Sequence, residues 1–212
     1  PLEVRKAVAA AWPYDQLRKA AGETELDFDP ATSYMSTSVP GFKPEPSENL
    51  PGQGEGDPEK AKQMLKDAGK EGFELSYYYS VDNPVAQKTN TARKQALEKA
   101  GFTVKDQGVP RAEMRELIAK TDADTNMMMG PAGWCYDWPQ GDAVYPAIFL
   151  GSSQLSGHSV GFLKEAGLDK EMNRIKALPA EEQGAEWSKF DKKVRDEFLP
   201  AIPTDASKAN AI

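Results

Sequence analysis

The chain has 212 residues, 39% of them hydrophobic, enough to bury a real core in one large domain or two small ones. A formal charge of −7 and a pI near 4.9 argue against nucleic acid as a partner, because affinity for phosphates rests on clustered Lys and Arg. No apolar run approaches the roughly 18 to 20 residues that span a bilayer, and the single cysteine excludes an internal disulfide.

The start, Pro1-Leu2-Glu3-Val4, has neither an initiator methionine nor a signal-peptide pattern, and the expectation is a fragment cut from a longer chain. Val4, Ala7, Val8, Ala11 and Trp12 fall at helical spacing, which predicts an amphipathic helix broken near Pro13 and a second short helix through Leu17. From Gly22 to Gly56 the chain turns rich in Pro and Gly without a sustained period. So long an irregular segment reads as functional or as packed against something else, such as a missing partner lobe. Asp57-Pro58 then supplies the cap and first residue of a helix with Ala61, Met64, Leu65 and Ala68 inward, ended by Gly69.

Phe73 to Ser80 reads as a strand, and Val85 to Ala100 as a helix with Ala92, Ala96, Leu97 and Ala100 inward and Gly101 as its stop. A second strand begins at Phe102. A helix over Arg111 to Lys120 follows, buried through Met114, Leu117 and Ile118, and Asn126 to Met129 reads as a third strand closed by Gly130-Pro131. This alternation predicts a βαβαβ core of parallel strands with helices on its faces. Beyond it come a helix over Ala143 to Phe149, a loop from Gly151 to Gly161 and two further helices, the last presenting Trp187, Phe190, Val194 and Phe198 on one face. Pro200 to Pro203 forces an extended segment. Mixed charge clusters such as Glu59 to Lys70 and Lys189 to Glu197 read as solvated helix faces.

The run Gly133 to Trp138 (GWCYDW) packs two tryptophans, a tyrosine, the only cysteine and a carboxylate into six residues behind the expected third strand. An open α/β sheet places its ligand at such strand ends. An aspartate framed by aromatic rings suits a positively charged, partly apolar guest. The plainer alternative makes Trp134 and Trp138 core residues and Asp137 the cap of the next helix.

VRKAVAAAW with Tyr14-Asp15, DPEKAKQMLKDAG (Asp57 to Gly69), ALEKAGFTV (Ala96 to Val104) and AGWCYDW (Ala132 to Trp138) follow one another in an order and spacing that resemble a known family. It is that of the extracytoplasmic solute-binding proteins of peptide-type ABC transporters, family 5, the oligopeptide and dipeptide binders. The resemblance runs from Val4 to about Pro203. It implies an α/β, type II periplasmic-binding-protein-like fold, with residues 1–212 forming a single lobe of a two-lobed protein. Residues 22–56 would be a connector and residues 200–212 the segment leading back to the absent lobe. It also implies an extracytoplasmic location, delivery of a solute to an ABC permease, no catalysis and no cofactor; lipid anchoring of the parent stays open.

In oligopeptide-binding members the aspartate at the position of Asp137 captures the peptide's α-ammonium. Trp134, Cys135, Tyr136 and Trp138 complete the expected ligand-binding set, as wall and backbone contacts to an extended peptide. One departure stands beside this. Where such binders can carry an arginine for the ligand's carboxylate, three residues before the tryptophan, this chain has Pro131. The family also carries glycans, metal chelates and other solutes, so these remain alternatives to a peptide.

Other constellations are thin. Cys135 and His158 suggest a nucleophile and base, but lone cysteines are usually small core residues and His158 sits in a Ser-Gly-rich loop without an orienting partner. Asp137 and Asp142 are too few for a metal, and Met127 to Met129 read as core. GQGEG, Gly52 to Gly56, lacks the Lys-Ser/Thr ending of a phosphate loop and reads as a flexible connector. Among Tyr77, Tyr78 and Tyr79, alternation lets at least one reach a cleft. Against the transport reading stands a solitary interaction module whose aromatic loop docks a protein. That module reading gains if the segment Gly22 to Gly56 packs on its own lobe and both chain ends are free. Ends that meet at one edge and expose apolar surface favour a missing lobe.

Overall fold

Two apolar cores organise the chain, one around a pair of parallel strands and one among its last three helices. A computed structural model describes residues 1–118, 120, 124–127, 129, 138–149 and 165–207. In chain order the elements are α1 (Leu2–Ala10), α2 (Tyr14–Ala21), β1 (Phe28–Pro30), α3 (Pro58–Asp67), β2 (Glu74–Ser80), α4 (Pro84–Lys99), β3 (Thr103–Val109), α5 (Arg111–Ile118), α6 (Gly141–Phe149), α7 (Ala166–Lys176), α8 (Ala180–Lys193), a π-helical turn at Val194–Phe198, and β4 (Asp205–Ser207).

The first core joins α1, α3, α4 and β2. Val4, Ala7, Val8, Ala11 and Trp12 meet Ala61, Leu65, Leu75, Leu97, Ala100 and Phe102. The helix start read from Asp57-Pro58 holds, the Asp57 carboxylate accepting from Lys60 N at 2.9 Å at the start of α3; the structure adds a cap for α4, where Asn83 accepts from Val85 N at 2.9 Å. β2 and β3 pair in parallel from Glu74↔Thr103 to Ser80↔Val109, with α4 as the crossover. Successive tyrosines of β2 face opposite sides. Tyr77 packs under the Arg93 guanidinium of α4, whereas Tyr78 packs on Met114 and Ile118 of α5.

Among the described residues the third strand is not formed. Instead Asn126 presents its side-chain amide to β2, its Oδ1 accepting from Ser76 N at 2.9 Å and its Nδ2 donating to Glu74 O at 2.7 Å, while its backbone N–H donates to Ser76 O at 3.1 Å. The amide imitates a strand's peptide group, so the edge of β2 is satisfied over these residues while the backbone bends.

The second core gathers Val144 and Tyr145 of α6, Leu168, Met172 and Ile175 of α7, and Trp187, Phe190 and Val194, with Met35, Val39 and Phe42 from the long irregular segment. The segment therefore packs on its own chain, and it contains β1, which pairs antiparallel with β4. A close backbone crossing shows how tightly it lies: a Cβ on Gly184 of α8 would stand 2.4 Å from Pro40 O.

The reading of Lys189 to Glu197 as a solvated face is corrected. Asp191 and Arg195 are fully buried and paired at 2.6 Å. Asp191 also accepts from Tyr34 N at 3.0 Å and from the Tyr145 hydroxyl, while Arg195 Nη2 reaches Glu45 O at 2.8 Å. Only these partners make burial of both charges tolerable, and they fix the irregular segment to α8. A third small cluster, Ala9, Leu50 and Leu199, bridges the two cores.

Candidate ligand-binding site

Of the residues expected to bind ligand, Trp138 lies within the described structure, and Trp134, Cys135, Tyr136 and Asp137 lie outside it, as do Pro131, His158 and the loop from Gly151 to Gly161. Trp138 is 47% exposed, so it is not the core residue of the plainer alternative. Its indole Nε1 donates to Asp142 Oδ1 at 3.1 Å, and Gln140 N donates to Trp138 O at 2.8 Å, which curls the chain into α6.

The base of this curl is rigid for a traceable reason. Gly141, first residue of α6, lies so close to Trp187 that a Cβ would stand 2.4 Å from ring atoms Cδ1 and Nε1. One turn on, Tyr145 stacks on the same indole at 5.3 Å and 9°, and Phe190 meets Tyr145 edge-on at 5.0 Å. The Tyr145 hydroxyl ends on Asp191; burial and the neighbouring carboxylate push its pKa well above the ordinary tyrosine range. Trp138 is thus an exposed ring carried by a helix fastened at two places to the second core.

The C-terminal ends of β2 and β3 form another place where an α/β sheet admits ligands. Here both following helices have their first amides occupied from within. Asp82 takes Arg111 N at 3.1 and 3.2 Å, and Asn83 takes Val85 N and Ala86 N. The Ser80 hydroxyl and the Arg111 N–H hold the Asp82 carboxyl below its usual range. Val81 and Val85 are exposed beside them. This edge offers apolar surface and a carboxylate rather than free donors for an anion.

Of the three tyrosines, Tyr77 is fully buried, its pKa pushed up to about 12 by burial against the pull of Arg93, and Tyr78 is core on the other face. Tyr79 remains half-buried. It lines a polar cavity of about 420 Å³ with Asn90, Lys94 and Asp106, where Lys94 Nζ pairs with Asp106 at 2.6 Å. GQGEG is not a phosphate cradle: Gly54 N is taken by Asp15 Oδ1 at 3.1 Å and Gly52 O by Arg18 Nη2 at 2.6 Å. Among the described residues no three His, Cys, Asp or Glu side chains are grouped to hold a metal, and no helix is long and apolar enough to cross a membrane.

Sequence reasoning missed the buried polar residues Arg18, Asn90, Arg93, Asp191 and Arg195. A signal existed for one pair. Asp191 and Arg195, four apart, fall on the same helical stripe as Trp187, Val194 and Phe198, so their burial follows from the stripe.

Similarity to known proteins agrees with this architecture. A family model described as bacterial extracellular solute-binding proteins, family 5 Middle, matches residues 2–156. No curated protein sequence matches the chain. Among solved structures, the ABC transporter substrate-binding protein CtaP from Listeria monocytogenes aligns with a TM-score of 0.77 at 19% identity, over 98% of this chain and 40% of its own. The periplasmic binding protein DppA from Helicobacter pylori, solved with peptide STSA, aligns with 0.75 at 20% identity, over 96% and 38%. The PBP AgaA from A. tumefaciens R10, solved with agropinic acid, aligns with 0.72 at 19% identity, over 94% and 39%. The chain spans about two fifths of the length of these structures. Its mixed α/β architecture is that of the type II periplasmic binding proteins, and members of the matching family are binding proteins rather than enzymes. The chain belongs to the bacterial extracellular solute-binding proteins of family 5.

Proposed function

We propose that residues 1–212 form one ligand-binding lobe of an extracytoplasmic solute-binding protein that captures a peptide and delivers it to an ABC transporter permease, with no chemistry of its own. The observation that carries this is the family match over residues 2–156, which spans the whole GWCYDW run. In this reading Asp137 meets the peptide's α-ammonium, and Trp134, Cys135, Tyr136 and Trp138 form the wall along which an extended main chain lies. A carboxylate about 4 Å from an ammonium gains on the order of 4 kcal/mol at an effective dielectric of 20, provided the closed cleft excludes water. Main-chain recognition with roomy side-chain pockets makes binding broad in sequence. With Pro131 at the position where an arginine can stand, the peptide's carboxylate is met by another group or left in solvent.

A second reading, capture of a non-peptide solute by the same fold, is favoured by the likeness to AgaA, which was solved with agropinic acid. The interaction-module reading gains the packing of residues 22–56 on their own chain, but that packing names no partner.

Mass spectrometry of small molecules released from the natively purified protein, beside an Asp137→Asn variant, separates these readings. Peptides released from the natural protein but not from the variant support peptide capture through Asp137. Release of one non-peptide solute from both points to the second reading and removes Asp137 as the anchor. Release of nothing from either favours the module.

A further inference from the structure

We propose that Asp142 is a positioning residue that holds the Trp138 indole as a platform for a cationic side chain, Lys or Arg, of the bound peptide. The inference rests on the peptide reading above and adds to it a side-chain preference and the residue that sets it.

Three observations carry it. Trp138 is half-exposed, yet its ring is not free to turn, since its one polar atom is committed to Asp142 Oδ1 at 3.1 Å. Asp142 in turn sits in the first turn of α6, whose start is pressed on Trp187 through Gly141 and whose Tyr145 is tied to Asp191. The platform is therefore partly pre-ordered, and less rotamer freedom of the indole is lost on binding. The third observation is charge. Between Lys120 and Lys164 the sequence contains Asp122, Asp124, Asp137 and Asp142 and not one Lys or Arg.

The chemistry of an indole in this setting selects a cation. Its π face is negative and attracts Lys or Arg more strongly than other aromatic rings do. Donation of the N–H to a carboxylate polarises the ring further in the same sense. An aliphatic side chain of equal length would gain the apolar contact without the electrostatic one. The expected preference for a basic over an isosteric neutral side chain is about 3- to 30-fold.

The test uses the natural polypeptide carrying these residues, freed of co-purifying solute by unfolding and refolding. Calorimetric titration with tripeptides that carry lysine or neutral norleucine at each position in turn gives a ratio of affinities in which a general loss of stability cancels. We expect a preference of about fivefold or more for lysine at one position, loss of that preference in Trp138→Leu, and partial retention in Trp138→Phe, which keeps an aromatic face. Asp142→Ala should lose most of it, while Asp142→Asn, which still offers the indole N–H an acceptor, should keep at least half. Equal loss in Asp142→Asn and Asp142→Ala overturns the positioning role. A ratio within twofold at every position, or one unmoved by Trp138→Leu, overturns the platform while leaving peptide capture standing. Failure of every peptide to bind the natural protein overturns both.

Discussion

Arg18 Nε donates to Asp205 Oδ1 at 2.5 Å, joining α2 to β4 across 187 positions of sequence. The same guanidinium gives Nη2 to Gly52 O and Thr204 O at 2.6 and 2.7 Å and lies 4.2 Å from the Phe28 ring centroid. One side chain thus fastens the loop before α3, strand β1 and strand β4 to α2. Arg18→Ala leaves a part-buried carboxylate and two carbonyls without their donor, and a loss of about 3 kcal/mol is expected in urea unfolding. Arg18→Lys keeps the charge but not the fork, and should recover less than half. A loss under about 1 kcal/mol in Arg18→Ala would show that water replaces the guanidinium at this junction.

The Asp191–Arg195 pair admits a sharper test, because both groups are fully buried. Asp191→Leu or Arg195→Met alone strands the opposite charge and should cost about 3 to 5 kcal/mol, whereas the double change Asp191→Leu with Arg195→Met should cost less than the sum. Additive losses in the double-mutant cycle would mean that the two charges act independently.

Gly141→Ala inserts a methyl group 2.4 Å from the Trp187 ring. Relief requires α6 to lift from the second core, at about 1 to 3 kcal/mol. Thermal unfolding reports the loss, and near-ultraviolet circular dichroism reports the altered Tyr145–Trp187 stack. An unchanged aromatic spectrum would contradict the contact.

Acid stability should depend on Asp106. Burial pushes its carboxyl up, but the hydrogen bonds from Lys94 Nζ and Asn90 Nδ2 outweigh that and leave it below the ordinary range. A carboxyl whose pKa is lower in the folded than in the unfolded chain contributes stability that is complete above the unfolded value of about 3.9. That stability is lost as pH falls through the folded value. Asp106→Asn should therefore be less stable than the natural chain at neutral pH, with the difference shrinking below about pH 4. Urea midpoints measured from pH 2 to 7 provide the check; a difference that stays constant across the range would assign the effect to packing.

How far the fold was legible depends on whether a signal is local. Asp57-Pro58, Gly69, Gly101 and the apolar spacing of α1, α3 and α8 are short-range patterns, and each element stands where they place it. Among the described residues, which leave out Met128, the strand expected at Asn126 to Met129 gives way to a bend in which the Asn126 side-chain amide joins the backbone N–H in pairing with β2, an exchange that apolar periodicity does not register. Arg18 and Arg93 look like surface residues on their own helices. Their burial is decided by Asp205, Trp12 and Tyr77, which the fold alone brings near. At the site, the exposure of Trp138 follows from its place before α6, but its tie to Asp142 needed the curl at Gln140 to bring residues four apart together.

The pairing of β1 with β4 also sets an order of events during synthesis. Arg18 and Phe28 leave the ribosome long before the Asp205 carboxylate that completes their environment. At about 5 to 20 residues per second that interval is on the order of ten seconds or more. Throughout it the Arg18 guanidinium lacks its carboxylate and β1 lacks its partner strand, so this corner of the fold closes only after α8 has been made.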